Sequence, residues 1–386
     1  MRLTLVTETF PPEVNGVAMT LGRWVEAFRA RGHAVQVIRP RQAGEAAALA
    51  LVPGLALPFY REVRIGLAGA GHLRRLLTQA STELVHIATE GPLGWAALRA
   101  AERLGLPIAS SFHTNFDHYA GHYRLGAFET LARTYLRHFH NRTDITLVPS
   151  ESTRTRLLSQ GFQRVEIWSR GVDGALYHPR HRDAALRASL GLGPDDPLLL
   201  YVGRLAYEKN LPVLLDAFQR LRERLPAPQR DKLRLALVGG GPLLTRLQAA
   251  TPAGVVLAGV QRGVDLSRWY ASADIFAFPS CSETFGNVVL EAQASGLPVV
   301  AFDSPGVNER VTHGQDGLLV PPSADLAEPL AALCQDPSRR RALGLAARRQ
   351  AERQSWEHVF DGLEQRYLHL LTQDPDAFAT MQGVSK

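Results

Sequence analysis

The sequence predicts an α/β protein built from two Rossmann-like, doubly wound parallel-sheet domains. The apolar runs are short and continuous, as in parallel strands buried on both faces. Stretches with helical spacing of apolar residues follow them, so strand and helix alternate along the chain. The alternation lapses between Ser169 and Pro197, where Gly, Pro and charged residues cluster, and then begins again. A length of 386 residues suits two such domains.

Leu3 to Val6 is the first predicted strand, and a loop from Thr7 to Asn15 follows it. A helix is expected from about Val17 to Ala30, ended by Gly32. Ala34–Ile38, Leu84–Ile87, Ile108–Ser111 and Ile145–Val148 are the next strands, with helices over Leu93–Leu104 and Ala127–His140. The second alternation has strands at Leu198–Val202, Leu233–Val238, Val255–Leu257, Ile275–Phe278 and Pro298–Ala301. The expected domains are residues 1–175 and 176–355, with a last helix, 356–371, crossing back onto the first. Open parallel sheets bind ligands beyond the carboxyl ends of their strands, so both candidate sites are expected to face a central cleft.

Composition narrows the class. At 45% apolar and 21% charged residues the chain is neither disordered nor collagen-like. Two cysteines, Cys281 and Cys334, exclude a disulfide scaffold and multi-cysteine zinc patterns, and they fit a reducing compartment. The longest apolar run, Ala46 to Tyr60, is broken by Pro53, Gly54 and Pro58 and falls short of the roughly 20 residues of a membrane span. No signal-peptide core precedes Glu8, so the expected location is the cytosol or the inner face of a membrane. Residues 1–187 hold 23 arginines and no lysine against 15 acidic residues, a surplus of +8, while the remainder is −2. A basic first domain favours an anionic partner such as a lipid surface, a nucleic acid or a phosphorylated substrate. A merely solvated basic face is the alternative.

Chemistry gathers after the strands. The segment G-R-L-A-Y-E-K-N, Gly203 to Asn210, puts Arg204 and Lys209 on one strand-to-helix loop, and Lys209 is one of only three lysines. A helix starting near Leu211 would point its positive end into the same space. Two cations and a helix start suit a diphosphate; an ordinary charged loop is the alternative. In S-E-T-F-G-N-V-V-L-E-A, Glu283 precedes a helix and Glu291 falls in its second turn. Phe285, Gly286 and Asn287 would offer backbone N–H groups to a phosphate or to sugar hydroxyls. Glu291 stands beside Val288, Val289 and Leu290, where an unpaired carboxylate is costly and a vicinal diol is a natural partner. A surface glutamate is the plainer alternative. Gly239 to Pro242, G-G-G-P, meets neither the dinucleotide nor the P-loop fingerprint and reads as a tight turn.

His113 opens H-T-N-F at the end of the strand Ile108–Ser111, followed by the polar and aromatic residues Asn115, Asp117, Tyr119 and Tyr123. A satisfied loop histidine is the alternative. The next helix carries Arg133 and Arg137 one turn apart beside Leu131 and Leu136. That is a membrane-surface helix or a core-packed helix with a basic outside. Gly16 lets a ligand approach the backbone closely, or simply makes a turn.

Together these residues resemble the retaining glycosyltransferases of family 4, which have the GT-B fold. The resemblance spans nearly the whole chain. Its most specific part is E-x7-E at Glu283 and Glu291, followed by A-Q-A-S-G-L-P-V-V-A, with G-R-L-x-x-E-K-N upstream in the expected order. H-T-N-F and A-T-E-G-P-L-G-W, Ala88 to Trp95, resemble the lipid-directed branch of GDP-mannose-dependent α-mannosyltransferases and sulfoquinovosyl-diacylglycerol synthases. The resemblance implies that Arg204 and Lys209 hold a donor diphosphate and that Glu291 grips the ribose. Glu283 and the backbone at Phe285–Asn287 would hold the transferred sugar, with His113 near the reacting carbon. Gly16 would lie by the diphosphate, Gln261 and Arg262 by the base, and Asn115, Asp117, Tyr119 and Tyr123 on the acceptor side. The chain departs from the pattern with a single Gly16 in place of a glycine pair and with Asn287 where an apolar residue is common.

The implied reaction is metal-independent, front-face transfer of a hexosyl group from a nucleotide-sugar donor, GDP-mannose first, to a lipid or glycolipid acceptor. No cofactor is implied, and no D-x-D motif falls in a plausible site. The basic first domain would meet an anionic membrane surface. A UDP-sugar donor, a diacylglycerol or a soluble glycan as acceptor, and a nucleotide-sugar epimerase are the rivals. A pyridoxal-phosphate phosphorylase needs a Schiff-base lysine where few exist. A nicotinamide enzyme needs a G-x-G-x-x-G that the first strand lacks. No recognised motif supports nucleic acid as a partner.

Overall fold

The computed structural model describes residues 1–13, 15–42, 44–46, 50–57, 60–113, 126–281, 283 and 285–372. They fall into two compact units, residues 1–169 with the chain from Val359 onward, and residues 170–358.

The first unit contains β1 (Arg2–Val6), β2 (Ala34–Pro40), β3 (Leu51–Val52), β4 (Gly54–Leu57), β5 (Tyr60–Gly66), β6 (Leu84–Ile87), β7 (Ile108–Ser111), β8 (Ile145–Val148) and β9 (Val165–Ile167). Its helices are α1 (Gly16–Ala30), α2 (Ala70–Gln79), α3 (Pro92–Leu104), α4 (Gly126–His140) and α5 (Glu151–Ser159). Among the described residues the main sheet is parallel throughout, in the order β3-β2-β1-β6-β7-β8-β9, and β4 and β5 form a separate antiparallel pair. Every residue of β6, β7 and β8 is buried, and their polar members, His86, Ser110, Ser111 and Thr146, are buried with the apolar ones. The β4–β5 pair escaped the sequence because Pro and Gly interrupt its apolar run.

Two polar arrangements tie this unit together. Glu8, at the end of β1, accepts from the backbone N–H of Gly66 at 3.2 Å and of Leu93 at 3.5 Å. Helix α3 has no side-chain cap of its own, so this carboxylate serves its first turn. A Cβ on Gly91 would lie 1.9 Å from Glu8 Oε2, so glycine is needed there. Burial raises the pKa of Glu8. The last helix, Trp356–Thr372, buries Phe360, Leu363 and Tyr367. Within this unit it forms ion pairs from Asp361 and Glu364 to Arg31, each at 2.7 Å, and from Arg366 to Glu166 at 2.7 Å. Tyr367 bonds to His86 Nδ1, and His86 Nε2 lies 2.6 Å from Ser111 Oγ.

The second unit contains β10 (Leu198–Val202), β11 (Arg234–Val238), β12 (Val255–Gly259), β13 (Ile275–Phe278), β14 (Val299–Phe302) and β15 (Gly317–Val320). Its helices are α6 (Ala184–Ser189), α7 (Leu211–Arg224), α8 (Ala227–Lys232), α9 (Leu244–Ala249), α10 (Gly263–Ser272), α11 (Asn287–Ala294), α12 (Ala327–Gln335) and α13 (Pro337–Glu352). The sheet is parallel, in the order β12-β11-β10-β13-β14-β15. The Gly- and Pro-rich stretch before β10 is ordered by polar contacts that hydrophobic periodicity does not report. Arg187 is buried, pairs with Asp274 at 2.9 Å, and donates to the carbonyls of Gly193 and Asp196. The predicted α/β class with two Rossmann-like parallel sheets is what the molecule has.

His86 sets a pH dependence. Burial, and then the nearby His113, pushes its pKa down to about 3. An unfolded histidine titrates near ~6.5. Below that pH the unfolded chain takes up a proton that the folded one refuses, so stability falls as pH drops. Wild type should lose about 2 kcal/mol more between pH 7 and pH 5 than His86→Asn, measured by urea unfolding. Equal losses in the two proteins would assign the dependence to other groups.

Candidate active site

In the second unit the strand order reverses between β10 and β13, so their outgoing loops diverge and open a crevice at the carboxyl edge. The two charged segments singled out in the sequence leave these two strands. Lys209 Nζ sits 2.6 Å from Glu283 Oε1, and Ser280 Oγ donates to the same oxygen at 3.0 Å. The two charged side chains are 21% and 18% exposed, so the pair is partly withdrawn from water. Asn210 Nδ2 donates to the Pro279 carbonyl at 3.1 Å and fastens the loops again. Arg204 is 66% exposed, with Nη1 3.3 Å from Glu208 Oε1. Its carbonyl accepts from the hydroxyl of buried Tyr201 at 2.9 Å. Burial raises the Tyr201 pKa, so this hydroxyl remains a donor.

The three glycines of G-G-G-P are a structural turn with a purpose. Leu205 N donates to Gly240 O at 2.9 Å, so the loop after β11 supports the loop after β10. A Cβ on Gly239, where φ is +143°, would lie 1.9 Å from Gly203 O, and one on Gly241 would lie 2.6 Å from Leu205 O. Gly239 N also donates to Gly259 O at 2.8 Å, which brings in the end of β12. There Gln261 Nε2 donates to Ala258 O at 2.6 Å, and Arg262 stands just before α10. Helices α7 and α11 start from residues in the left-handed conformation, Asn210 and Gly286, without side-chain caps. Their first-turn N–H groups are the kind of donor that anions use.

Phe285 and Gly286 are buried and Asn287 is exposed at the first turn of α11. Gly306 braces this turn from behind, since a Cβ there would lie 2.6 Å from Glu283 O. Glu291 also has a partner within the fold. Its Oε2 accepts from the hydroxyl of Tyr270 at 2.9 Å, and Tyr270 is completely buried. Neither Tyr270 nor Ser280 stood out in the sequence, because each looks like ordinary polar content beside an apolar run.

In the first unit Gly16 is the exposed first residue of α1, with Asn15 Oδ1 capping the N–H of Ala18 at 2.8 Å. His113 follows β7 after one residue and its ring centre lies 6.2 Å from that of Trp168. Asn115, Asp117, Tyr119 and Tyr123 lie outside the described residues. Helix α4 buries Leu136 and Phe139 in the core, while Leu131 and Tyr135 are exposed. The helix therefore packs one side into the core and leaves Leu131 and Tyr135 on the outside. Among the described residues no helix is long and apolar enough to cross a membrane.

Comparison with known proteins agrees with this architecture. Residues 14–175 match the family described as Glycosyltransferase Family 4, and residues 196–336 match the one described as Glycosyl transferases group 1. The chain is 34% identical over 378 residues to a GDP-mannose-dependent alpha-mannosyltransferase of Mycolicibacterium smegmatis, covering 95% of this chain and 97% of that one. It is 33% identical over 311 residues to the sulfoquinovosyl transferase SQD2 of Arabidopsis thaliana, covering 78% of this chain and 59% of that one. Sucrose-phosphate synthase from Thermosynechococcus elongatus shares the fold, with a TM-score of 0.73 at 20% identity over 96% of this chain and 99% of that one. Two Rossmann-like sheets with these matches define a glycosyltransferase of the GT-B fold. Within that class the chain belongs to glycosyltransferase family 4.

The glycine turn can be tested alone. Gly239→Ala should lower the unfolding free energy by about 3 kcal/mol, because a backbone oxygen occupies the place of the new methyl. A wild-type urea midpoint would mean that the loop after β10 moves aside at no cost.

Proposed function

We propose that the chain is a retaining hexosyltransferase that moves mannose from GDP-mannose to a membrane lipid or glycolipid. The observation that carries this is the Lys209–Glu283 pair at the strand reversal of the second unit, beside Arg204 and two uncapped helix starts. An ammonium has three donors, and Glu283 takes one, which leaves donors for the oxygens of a diphosphate. Arg204, exposed on the same loop, adds a planar fork. In this assignment the second unit takes the donor. Glu291, already oriented by Tyr270, accepts from the ribose hydroxyls, and Gln261 and Arg262 lie by the base. Glu283 and the backbone of Phe285, Gly286 and Asn287 hold the sugar. The first unit takes the acceptor: His113 is assigned to the reacting carbon, Gly16 to the diphosphate, and Asn115, Asp117, Tyr119 and Tyr123 to the acceptor.

The transfer would run on one face of the sugar. The bond from the anomeric carbon to the diphosphate breaks as the acceptor oxygen approaches from the same side. A donor phosphate oxygen takes the acceptor proton, and the new glycosidic bond keeps the original configuration. Charge builds up on the leaving diphosphate, and fixed cations and helix N–H groups stabilise it most where water is excluded. The lipid acceptor is supported by the exposed Leu131 and Tyr135 on arginine-bearing α4 and by the +8 surplus of residues 1–187. These features suit a peripheral protein on the anionic inner face of a membrane. The 34% identity to a GDP-mannose-dependent enzyme supports the donor.

Purified protein is mixed with membranes and offered labelled GDP-mannose or labelled UDP-glucose, and label is counted in the organic extract. Mannose label in lipid is the expected result. Label from UDP-glucose alone would overturn the donor, and label only in water-soluble glycan would overturn the acceptor. Arg204→Ala and Lys209→Ala should each lower turnover by about 10²-fold or more, and wild-type rates in both would sink the site assignment.

Cations supplied by side chains also make a prediction about metals. Turnover in EDTA should equal that in buffer, and restoration only by Mg²⁺ or Mn²⁺ would show that a metal carries the diphosphate charge instead.

A further inference from the structure

Arg310 lies in the second unit after β14, is 7% exposed, and has no part in the roles assigned above. Its guanidinium carbon lies 3.9 Å from the ring centre of Phe285. Its Nε donates to the Phe285 carbonyl at 3.3 Å, and its Nη1 donates to Gln354 Oε1 at 2.6 Å. The Arg310 carbonyl in turn accepts from Gln293 Nε2 of α11 at 2.8 Å. Burial lowers the guanidinium pKa to about 10. The groups in direct contact with the guanidinium are a ring face, a carbonyl and an amide, all neutral, and the adjacent Glu309 carboxylate offsets its burial only in part. A buried cation whose direct contacts are neutral is expensive, and an apolar side chain of similar volume is often the more stable choice.

What the guanidinium supplies and an apolar side chain does not is a hold on one peptide from three directions. The ring stacking fixes the Phe285 side chain, the Nε bond fixes its carbonyl, and Gln354 fixes the guanidinium plane. A peptide is planar and trans, so its carbonyl and the following N–H point in opposite directions. Fixing the Phe285 carbonyl towards Arg310 therefore aims the Gly286 N–H away from it. Gly286 follows in the left-handed conformation, with φ at +74°, and opens α11.

We propose that Arg310 is a positioning residue for the transferred sugar: by holding the Phe285 carbonyl it sets the direction of the Gly286 N–H at the start of α11. This rests on the assignment of the 285–287 backbone to the donor sugar. Arg310 acts through Phe285 and Gly286, and Gln354 is its anchor. Lysine keeps a charge and some affinity for the ring, yet it lacks the planar fork needed for the carbonyl and Gln354 together.

The full-length protein is compared with Arg310→Lys, Arg310→Met and Gln354→Ala. Calorimetry measures binding of GDP, which has no sugar, and kinetics measures transfer from GDP-mannose. Arg310→Lys should bind GDP within about 2-fold of wild type while kcat falls by about 10- to 100-fold, because a misaimed donor costs orientation and not nucleotide contacts. Gln354→Ala should shift kcat the same way by less. Purely structural support would lower Tm and scale GDP binding and kcat together. That outcome overturns the proposal, as does wild-type kcat in a folded Arg310→Lys. Should Arg310→Met not fold, the lysine and Gln354 variants still decide. If wild type prefers UDP-glucose, the same comparison runs with UDP. A wild type that binds neither nucleotide and transfers neither sugar removes the donor-site assignment and this role with it, whereas intact transfer in Arg310→Lys removes the role of Arg310 alone.

Discussion

Lys209 and Glu283 are 74 positions apart, and they meet because a parallel sheet reverses its strand order between β10 and β13. That reversal is the constraint on which the rest of the second unit depends. Each parallel strand must be followed by a crossover, and crossovers to the two sides of β10 leave a gap at its carboxyl end. Loops from both sides must lie against each other there. Their charges are opposite, and the ion pair with its Ser280 hydrogen bond holds the gap's two lips together.

Around that point the backbone is packed more tightly than side chains allow. Gly239 and Gly241 let the loop after β11 touch the loop after β10, and Gly306 lets the segment after β14 touch the turn before α11. Neighbouring loops are therefore braced by direct backbone contact, and the groups they carry have little freedom. Rigid placement of this kind is what electrostatic stabilisation of a leaving diphosphate requires, since donors that must first reorganise contribute less. The first unit uses buried polar side chains for a comparable purpose. Glu8 serves the start of α3, and the chain Tyr367, His86, Ser111 joins the last helix to the strand that leads to His113.

Much of this was legible in the sequence. β6, β7, β8, β10 and β13 stand at the predicted residues, because strands buried on both faces are mostly apolar and stand out from the polar loops around them. The helices expected to start near Leu211 and Gly286 begin at Leu211 and Asn287. β3, β4, β5 and β15 left no such mark. They are short, interrupted by glycine or proline, or at a sheet edge, so their pattern does not rise above that of a loop. The segment from Arg170 to Pro197 escaped for another reason, since arginine bonds to carbonyls and not apolar spacing give it order.

The sequence by itself determined the α/β class, the alternation in two blocks, and where charged residues fall on the loops after the strands. Those are local properties: burial on both faces favours a mostly apolar run, and a loop with Arg204 and Lys209 is charged whatever surrounds it. Only the tertiary structure decided who meets whom. It placed Lys209 on Glu283, Tyr270 on Glu291, and Arg310 on Phe285. Pairings of this kind depend on strand order and on helix rotation, and both are settled by packing of the whole sheet. A buried tyrosine or arginine with a distant partner reads, along the chain, like any other residue of its type.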